Sequence, residues 1–312
     1  MNKARRCRRT SYARNSRGVG TGGWMQLITG VVGAGRNLAV LGQQVDEDDN
    51  PVDLWTAGFW SDGNWISEID LDFNPVALCP LADAEDAWAI LGSGGEVLWV
   101  PSAKSDPNGR KARVDGGDPV GFTTICSYGS GVAAAQLGQK VFWSNGSSWK
   151  PLGSGLPPAD NGRTIGFEAM AVAGDELVGV GWGGEIWWMR DETWAQVDSP
   201  VNTILTGVSA FDGEILACGR LGIILKGRGD SLEVVDHQQT EEDFWSIVSH
   251  KGKVFVSSMR AIYELTDEML RPVDDDSEIG SYYRLSANDQ ILISVGARCA
   301  MIFEGVSWKQ IF

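Results

Sequence analysis

Few side chains in this sequence have the type and spacing that chemistry requires. There are two histidines. His250 lies in the run His-Lys-Gly-Lys and His237 in Asp-His-Gln-Gln-Thr-Glu-Glu-Asp, so both read as solvated turn residues. Acid–base catalysis and histidine-based metal binding therefore lack material. The five cysteines, Cys7, Cys79, Cys126, Cys218 and Cys299, are odd in number and widely spaced, with no Cys-x-x-Cys pair. That pattern fits neither a zinc site nor a disulfide framework, and it suits the reducing cytoplasm. No Gly-x-Ser-x-Gly, His-Glu-x-x-His or phosphate-loop motif occurs, and the glycine-rich runs GVGTGG and GVVGAG lack a strand–loop–helix setting. The expectation is a chain without catalytic residues, metal or cofactor. One constellation remains. Trp182, Arg220, Arg260 and Arg298 stand in like sequence positions about 40 residues apart. Three forked guanidiniums on one rim would suit an anionic group. The alternative is that each pairs with a nearby carboxylate.

The spacing of those four residues follows from an internal repeat. Five stretches align, beginning at Phe122, Phe167, Leu205, Phe244 and Tyr282, with starts 45, 38, 39 and 38 residues apart. Two looser copies precede them, from Met25 to about Ile69 and from Pro75 to about Val114. The count is seven, and the irregular first two copies leave six or eight open. The copy at Phe167 shows the pattern. FEAMAVA, ELVGVGW, EIWWM and TWAQV are short runs rich in Val, Ile and Trp, separated by Gly, Asp and Glu turns. They read as strands a to d of one unit. A lone four-stranded sheet cannot bury both faces, but radial stacking around a closed ring does so. The predicted fold is all-β: a seven-bladed β-propeller of four-stranded antiparallel blades, one domain over residues 24–312. The repeats run from strand a to strand d, so the ring would close by packing the first blade on the last, unless the N-terminal segment adds an outer strand. Residues 1–23 carry Lys3, Arg5, Arg6, Arg8, Arg9, Arg14 and Arg17 with no acid and no apolar stretch behind them. They read as a disordered basic tail, or as untranslated sequence ahead of Met25, and not as a secretory signal.

The turns between strands c and d read SDGNW at 61–65, SNGSSW at 144–149, RDETW at 190–194 and EGVSW at 304–308. These resemble degenerate Asp-box turns, Ser-x-Asp-x-Gly-x-x-Trp. The chain thus resembles, over about residues 24–312, the broad superfamily of sialidase-like and photosystem II assembly-factor-like propellers. The resemblance implies an architecture more than a function. It also implies that Trp65, Trp149, Trp194 and Trp308 pack between blades. Sialidases hold a carboxylate with three arginines and attack with a Tyr–Glu pair. Their N-terminal Arg-Ile-Pro signature is absent here, and Arg220, Arg260 and Arg298 are a faint echo of the arginine set.

Charge then sorts onto faces. The net charge is -15, which argues against nucleic acid as a partner and permits a basic protein. No run of about 18 apolar residues suggests a membrane span. In an up-and-down blade the b–c turns and d–a connections share one face. That face is assigned Asp46, Glu47, Asp48 and Asp49, Asp115 and Asp118, Glu241, Glu242 and Asp243, and Asp274, Asp275, Asp276 and Glu278. The opposite face is assigned Asp83, Glu85 and Asp86, diluted by Lys104, Arg110, Lys111, Arg113, Lys251 and Lys253. The acidic clusters are either a solvated rim or a steering surface for a cationic protein. Long connections at 153–163 and 236–243 on the same face are common binding elements. The functional expectation is a cytoplasmic, non-catalytic protein-binding module, a monomer or 1:1 heterocomplex. Its sharpest form is an immunity or antitoxin-type protein that covers a basic toxin. The competing readings are a glycan-binding or sialidase-like propeller using the arginine cluster, and an assembly factor, whose basic face and export signal are not evident.

Overall fold

Each sequence repeat folds as one antiparallel meander, in chain order from inner strand to outer strand. The computed structural model describes residues 24–82, 84–117, 121–157, 166–273 and 281–312. Residues 1–23, Asp83, Asp118, part of the 153–163 connection and the cluster Asp274, Asp275, Asp276 and Glu278 lie outside the described residues.

Strands a to d of blade one are Trp24–Val32, Asn37–Val45, Pro51–Ser61 and Asn64–Leu71. Blade two has Pro75–Pro80, Trp88–Gly92, Glu96–Val100 and Arg110–Arg113. Blade three has Phe122–Tyr128, Gly131–Gln136, Lys140–Ser144 and Trp149–Pro151. Blade four has Phe167–Ala173, Glu176–Gly181, Ile186–Arg190 and Thr193–Val197. Blade five has Leu205–Phe211, Glu214–Gly219, Ile224–Arg228 and Ser231–Val234. Blade six has Phe244–His250, Lys253–Ser258, Ile262–Thr266 and Met269–Pro272. Blade seven has Arg284–Ala287, Leu292–Gly296, Cys299–Phe303 and Trp308–Gln310. The molecule is a seven-bladed β-propeller.

Burial explains the composition of each strand. Strand b is covered on both faces by neighbouring blades, so Val132–Ala135 and Leu177–Gly181 are buried without alternation. Strand d sits at the rim and shows buried and exposed residues intermixed, as in Thr193–Val197. The apolar side chains gather in seven clusters, one for each blade–blade interface. The first and last blades share one: Leu27, Leu38, Val40 and Trp60 pack with Ile291, Ile293, Val295 and Ile302. Ring closure thus uses the same kind of apolar interface as every other pair of blades. Hydrogen bonds add to it. Leu27 N–H donates to the Ala297 carbonyl at 2.8 Å. Asn288 Nδ2 donates to the Gly33 and Gly35 carbonyls at 2.8 and 2.7 Å.

The inner strands meet around the axis. In six of the blades the a–b register slips near the start of strand a, leaving one extra residue: Ile28, Val76, Thr123, Glu168, Thr206 or Trp245. Such a bulge bends the strand and re-aims a side chain. Two of these residues stitch blades together. Thr123 and Thr206 hydroxyls donate to the Phe167 and Phe244 carbonyls of the next blade, each at 2.6 Å.

The tryptophans after the c–d turns also bridge blades. Trp65 Nε1 donates to the Ile311 carbonyl of blade seven at 3.0 Å, and Trp194 Nε1 to the Leu152 carbonyl of blade three at 2.9 Å. Trp149 packs on Trp99 of blade two, and Trp308 lies in the cluster between blades six and seven.

Three sequence expectations need correction. His250 and His237 are 3% and 5% exposed, not solvated. His250 ends strand a, lies near the rings of Phe255 and Phe303, and bonds the Asn288 carbonyl through Nδ1 at 2.7 Å. His237 folds back on blade five, where its Nε2 meets the Gly222 carbonyl at 2.7 Å. Lys111 and Arg113 do not belong to the a–b/c–d face. Strand d of blade two carries them to the other end, where they pair with Asp72 and Glu96.

Candidate binding face

In blade five the b–c turn and the d–a connection meet at one end of the ring, and side chains cross-link the two. The start of the 153–163 connection departs from the face assigned to it: Ser154 N–H donates to the Glu192 carbonyl and the Ser154 carbonyl accepts from Trp194 N–H, beside the c–d turn of blade four. In blades four and five the b–c turn is a single tight turn, Trp182–Gly184 and Arg220–Gly222. Its middle residue is left-handed: Gly183 has φ 68° and ψ 15°, and Leu221 has φ 59° and ψ 33°. The d–a connection from blade five to blade six wraps this second turn. Asp243 Oδ1 accepts the Leu221 N–H at 3.0 Å. A Cβ on Gly222 would stand 2.3 Å from the Thr240 carbonyl oxygen, so only glycine fits there.

The acidic clusters on this face divide by task. Asp46 organises its own loop: Oδ1 accepts the N–H groups of Asp48 and Asn50 at 2.9 and 2.8 Å. Those bonds, first the one from Asn50, hold its carboxyl below the usual carboxylate range. Asp49 pairs with Arg298 at 2.9 Å, across the interface between blades one and seven. Glu242 pairs with Arg260 at 3.5 Å. Glu47, Asp48, Asp115 and Glu241 are exposed and form no ion pair among the described residues.

The residues singled out at the channel mouth do not converge on a common point. Arg260 and Arg298 are spent on different carboxylates, while Arg220 forms no ion pair among the described residues. Trp182 donates from Nε1 to Glu168, the bulge residue at the start of strand a in blade four. Sequence reasoning missed Arg284, a buried cation on strand a of blade seven, whose charge is favoured by Glu168 of blade four and Cys218 of blade five. Burial disfavours its charge and Glu168 opposes that effect, while Nη1 donates to the Trp245 carbonyl at 3.2 Å. The signal was unreadable in the sequence, because Arg284 sits inside a strand and only the ring brings it near Glu168.

Sequence reasoning also missed two exposed apolar residues in the b–c turns that follow the one holding Trp182. Trp182, Leu221 and Met259 are 44%, 65% and 47% exposed, and they occupy the b–c turns of three successive blades. On the opposite face, a hollow of about 520 Å³ is lined by Trp99, Arg110, Asn145 and Ser147. Its arginine is already bonded to the Gly146 carbonyl. Cys79, Cys126 and Cys218 are poor nucleophiles: burial pushes the Cys126 and Cys218 thiols up to about 12, and Cys79 higher. No group of metal-binding side chains forms among the described residues. No helix there is long and apolar enough to cross a membrane.

No family model matches the chain. It is similar to the Immune protein Tsi7 of Pseudomonas aeruginosa, with 38% identity over 116 residues. The match spans 36% of this chain and 38% of that protein, well under half of either. Among solved structures it is similar to the WD40 β-propeller domain of Doa1, with a TM-score of 0.67 and 12% identity over 91% of this chain and 95% of the other. It is also similar to YCF48 from Cyanidioschyzon merolae, with a TM-score of 0.65 and 12% identity over 91% and 96% of the two chains. YCF48 bound to D1 peptide gives a TM-score of 0.63 at 13% identity, covering 91% and 93%. At those identities the structural likeness shows the fold alone, and it upholds the propeller resemblance read from the c–d turns.

Proposed function

We propose that this chain is a non-catalytic, protein-binding propeller of the immunity type, which neutralises a basic toxin by covering it with the b–c/d–a face. The observation that carries the reading is the 38% identity to an immune protein over 116 residues. The chemistry of the face agrees with it. Exposed carboxylates at Glu47, Asp48, Asp115 and Glu241 recur around one end of the ring. On a chain of net charge -15 they would steer a cationic protein and raise its on-rate. The glycan reading gains no support from the site. It asks for free arginines converging on one anion, whereas Arg260 and Arg298 are each neutralised by a neighbour.

The test is co-expression with the protein encoded beside this chain, in cells that this neighbour otherwise arrests. The expected result is restored growth and a 1:1 complex by light scattering. Continued arrest, with no co-elution of the two purified proteins, would reject the reading.

A further inference from the structure

We infer that the b–c turns of blades four, five and six form a preformed apolar anchor, Trp182–Leu221–Met259, that seats in an apolar pocket rimmed by Lys and Arg on a cationic protein partner. This rests on the protein-binding reading and says where the contact energy lies within the acidic face.

Three observations carry it. First, among the described residues few large apolar side chains stay exposed, and three of them fall in successive b–c turns. The others lie apart: Leu54 on strand c of blade one, Val234 and Met269 on outer strands, and Val306 in a c–d turn. Exposed apolar side chains that recur in equivalent turns of successive blades, among polar groups, are suited to an interaction site.

Second, Leu221 occupies a backbone conformation that favours glycine. Blade four uses Gly183 at the same position. A bulky residue held left-handed is strained, and such strain persists only where the surroundings over-determine it. They do so here through Asp243 on the Leu221 N–H, His237 on the Gly222 carbonyl and the close approach of Thr240. The isolated chain draws little from the side chain so presented, which remains 65% exposed. A contact outside the chain is the use that fits it. Anchors of this sort, held rigid before binding, dominate interface energies.

Third, the rim bears on the occupant's charge. Glu241 and Asp243 are exposed in the connection that wraps Leu221, against one exposed cation, Arg220, in the turn itself, while Glu242 and Arg260 neutralise each other. A second copy would bring the same acidic rim against itself on a chain of net charge -15, so self-association is disfavoured. A partner with basic residues around an apolar pocket is favoured on both counts.

The test uses the full chain and the neighbouring gene's protein, inactivated at its own active site, with affinity measured by surface plasmon resonance. Leu221→Gly keeps the turn and deletes the anchor. It should weaken binding at least tenfold, mainly through a faster off-rate, with a melting temperature no lower than the parent's. Met259→Ser should weaken binding in the same sense. If the parent chain binds and both variants bind within twofold of it, the anchor is wrong and the protein-binding reading stands. If the parent chain does not bind, both fail. A dimer of the chain alone that Leu221→Gly dissociates would also overturn it, because the occupant would then be a second copy.

Discussion

Leu221 and His250 show how a single residue can trade stability against another property. Leu221 is left-handed at φ 59° and mostly exposed. Glycine there removes a strain of about 1 kcal/mol and forfeits little burial. Leu221→Gly should therefore raise the melting temperature by roughly 2 °C, read by thermal denaturation, while the same change loosens the proposed complex. His250 links stability to pH. Its imidazole is buried and its folded pKa is lowered, chiefly by that burial and also by Lys251, against the opposing effects of the Asn288 bond and Asp289. The folded chain thus keeps it neutral where the unfolded chain takes up a proton, below about pH 6.5. Stability from this group is present above that pH and lost as pH falls. The urea midpoint should drop between pH 7.5 and 5.5, and His250→Asn should flatten the drop. The lowered carboxylates Asp46 and Asp72 lose their contribution only at more acid pH. A parent and variant with equal slopes would exclude His250 as the source. None of this was legible locally. His250 has Lys251, Gly252 and Lys253 beside it in sequence, and the groups that bury it include Asn288 and Phe303 of the next blade.

Among the elements, the two families of turns differed in how readable they were, and the reason is physical. In blades one, four and six the c–d turn reverses a hairpin in two residues with positive φ at both, which restricts the residue types. Blade four does this with Asp191 and Glu192, at φ 48° and 57°. Blade six uses Asp267 and Glu268, at 50° and 60°. In blades one and four the Trp after the turn also bonds a carbonyl of the neighbouring blade, so the polar turn followed by Trp survives in sequence and pointed to the right architecture. The b–c turns carry Trp182, Leu221 and Met259 for reasons the fold does not supply, and only Trp182 was noticed in advance. The hairpin argument yields a quantitative check. Glycine at the second left-handed position relieves the side-chain clash there, so Glu192→Gly should stabilise the chain by about 1 kcal/mol. The backbone bond from Ser154 N–H to the Glu192 carbonyl does not depend on the side chain and should persist. A denaturant midpoint that falls in this variant would show that the Glu192 side chain contributes more than its strained backbone costs.

At the scale of the whole molecule, periodicity made the ring legible, because a repeat of this length with four apolar runs has few other ways to bury both faces. The sorting of charge by face was argued from the meander. It failed for Lys111 and Arg113, because strand d of blade two is four residues long and carries their side chains to the far end. What the sequence could not reveal is which acids are already occupied. Asp46 holds a loop, Asp243 holds Leu221, and Asp49 and Glu242 neutralise arginines. A field that steers a partner must come from carboxylates that remain free, and Glu47 and Asp48 can be reversed without breaking any of those bonds. Each reversal to lysine adds two charges, so Glu47→Lys with Asp48→Lys takes the net charge from -15 to -11. Long-range steering acts on encounter and not on the docked contact. The double variant should slow association about tenfold at low salt, with little change in the off-rate and in the melting temperature. Raising the salt toward 1 M shortens the screening length to about 3 Å and should erase the difference. Equal association rates for parent and variant at low salt would mean that the partner approaches another part of the ring. The acidic connectors of blade one would then be no more than a solvated edge.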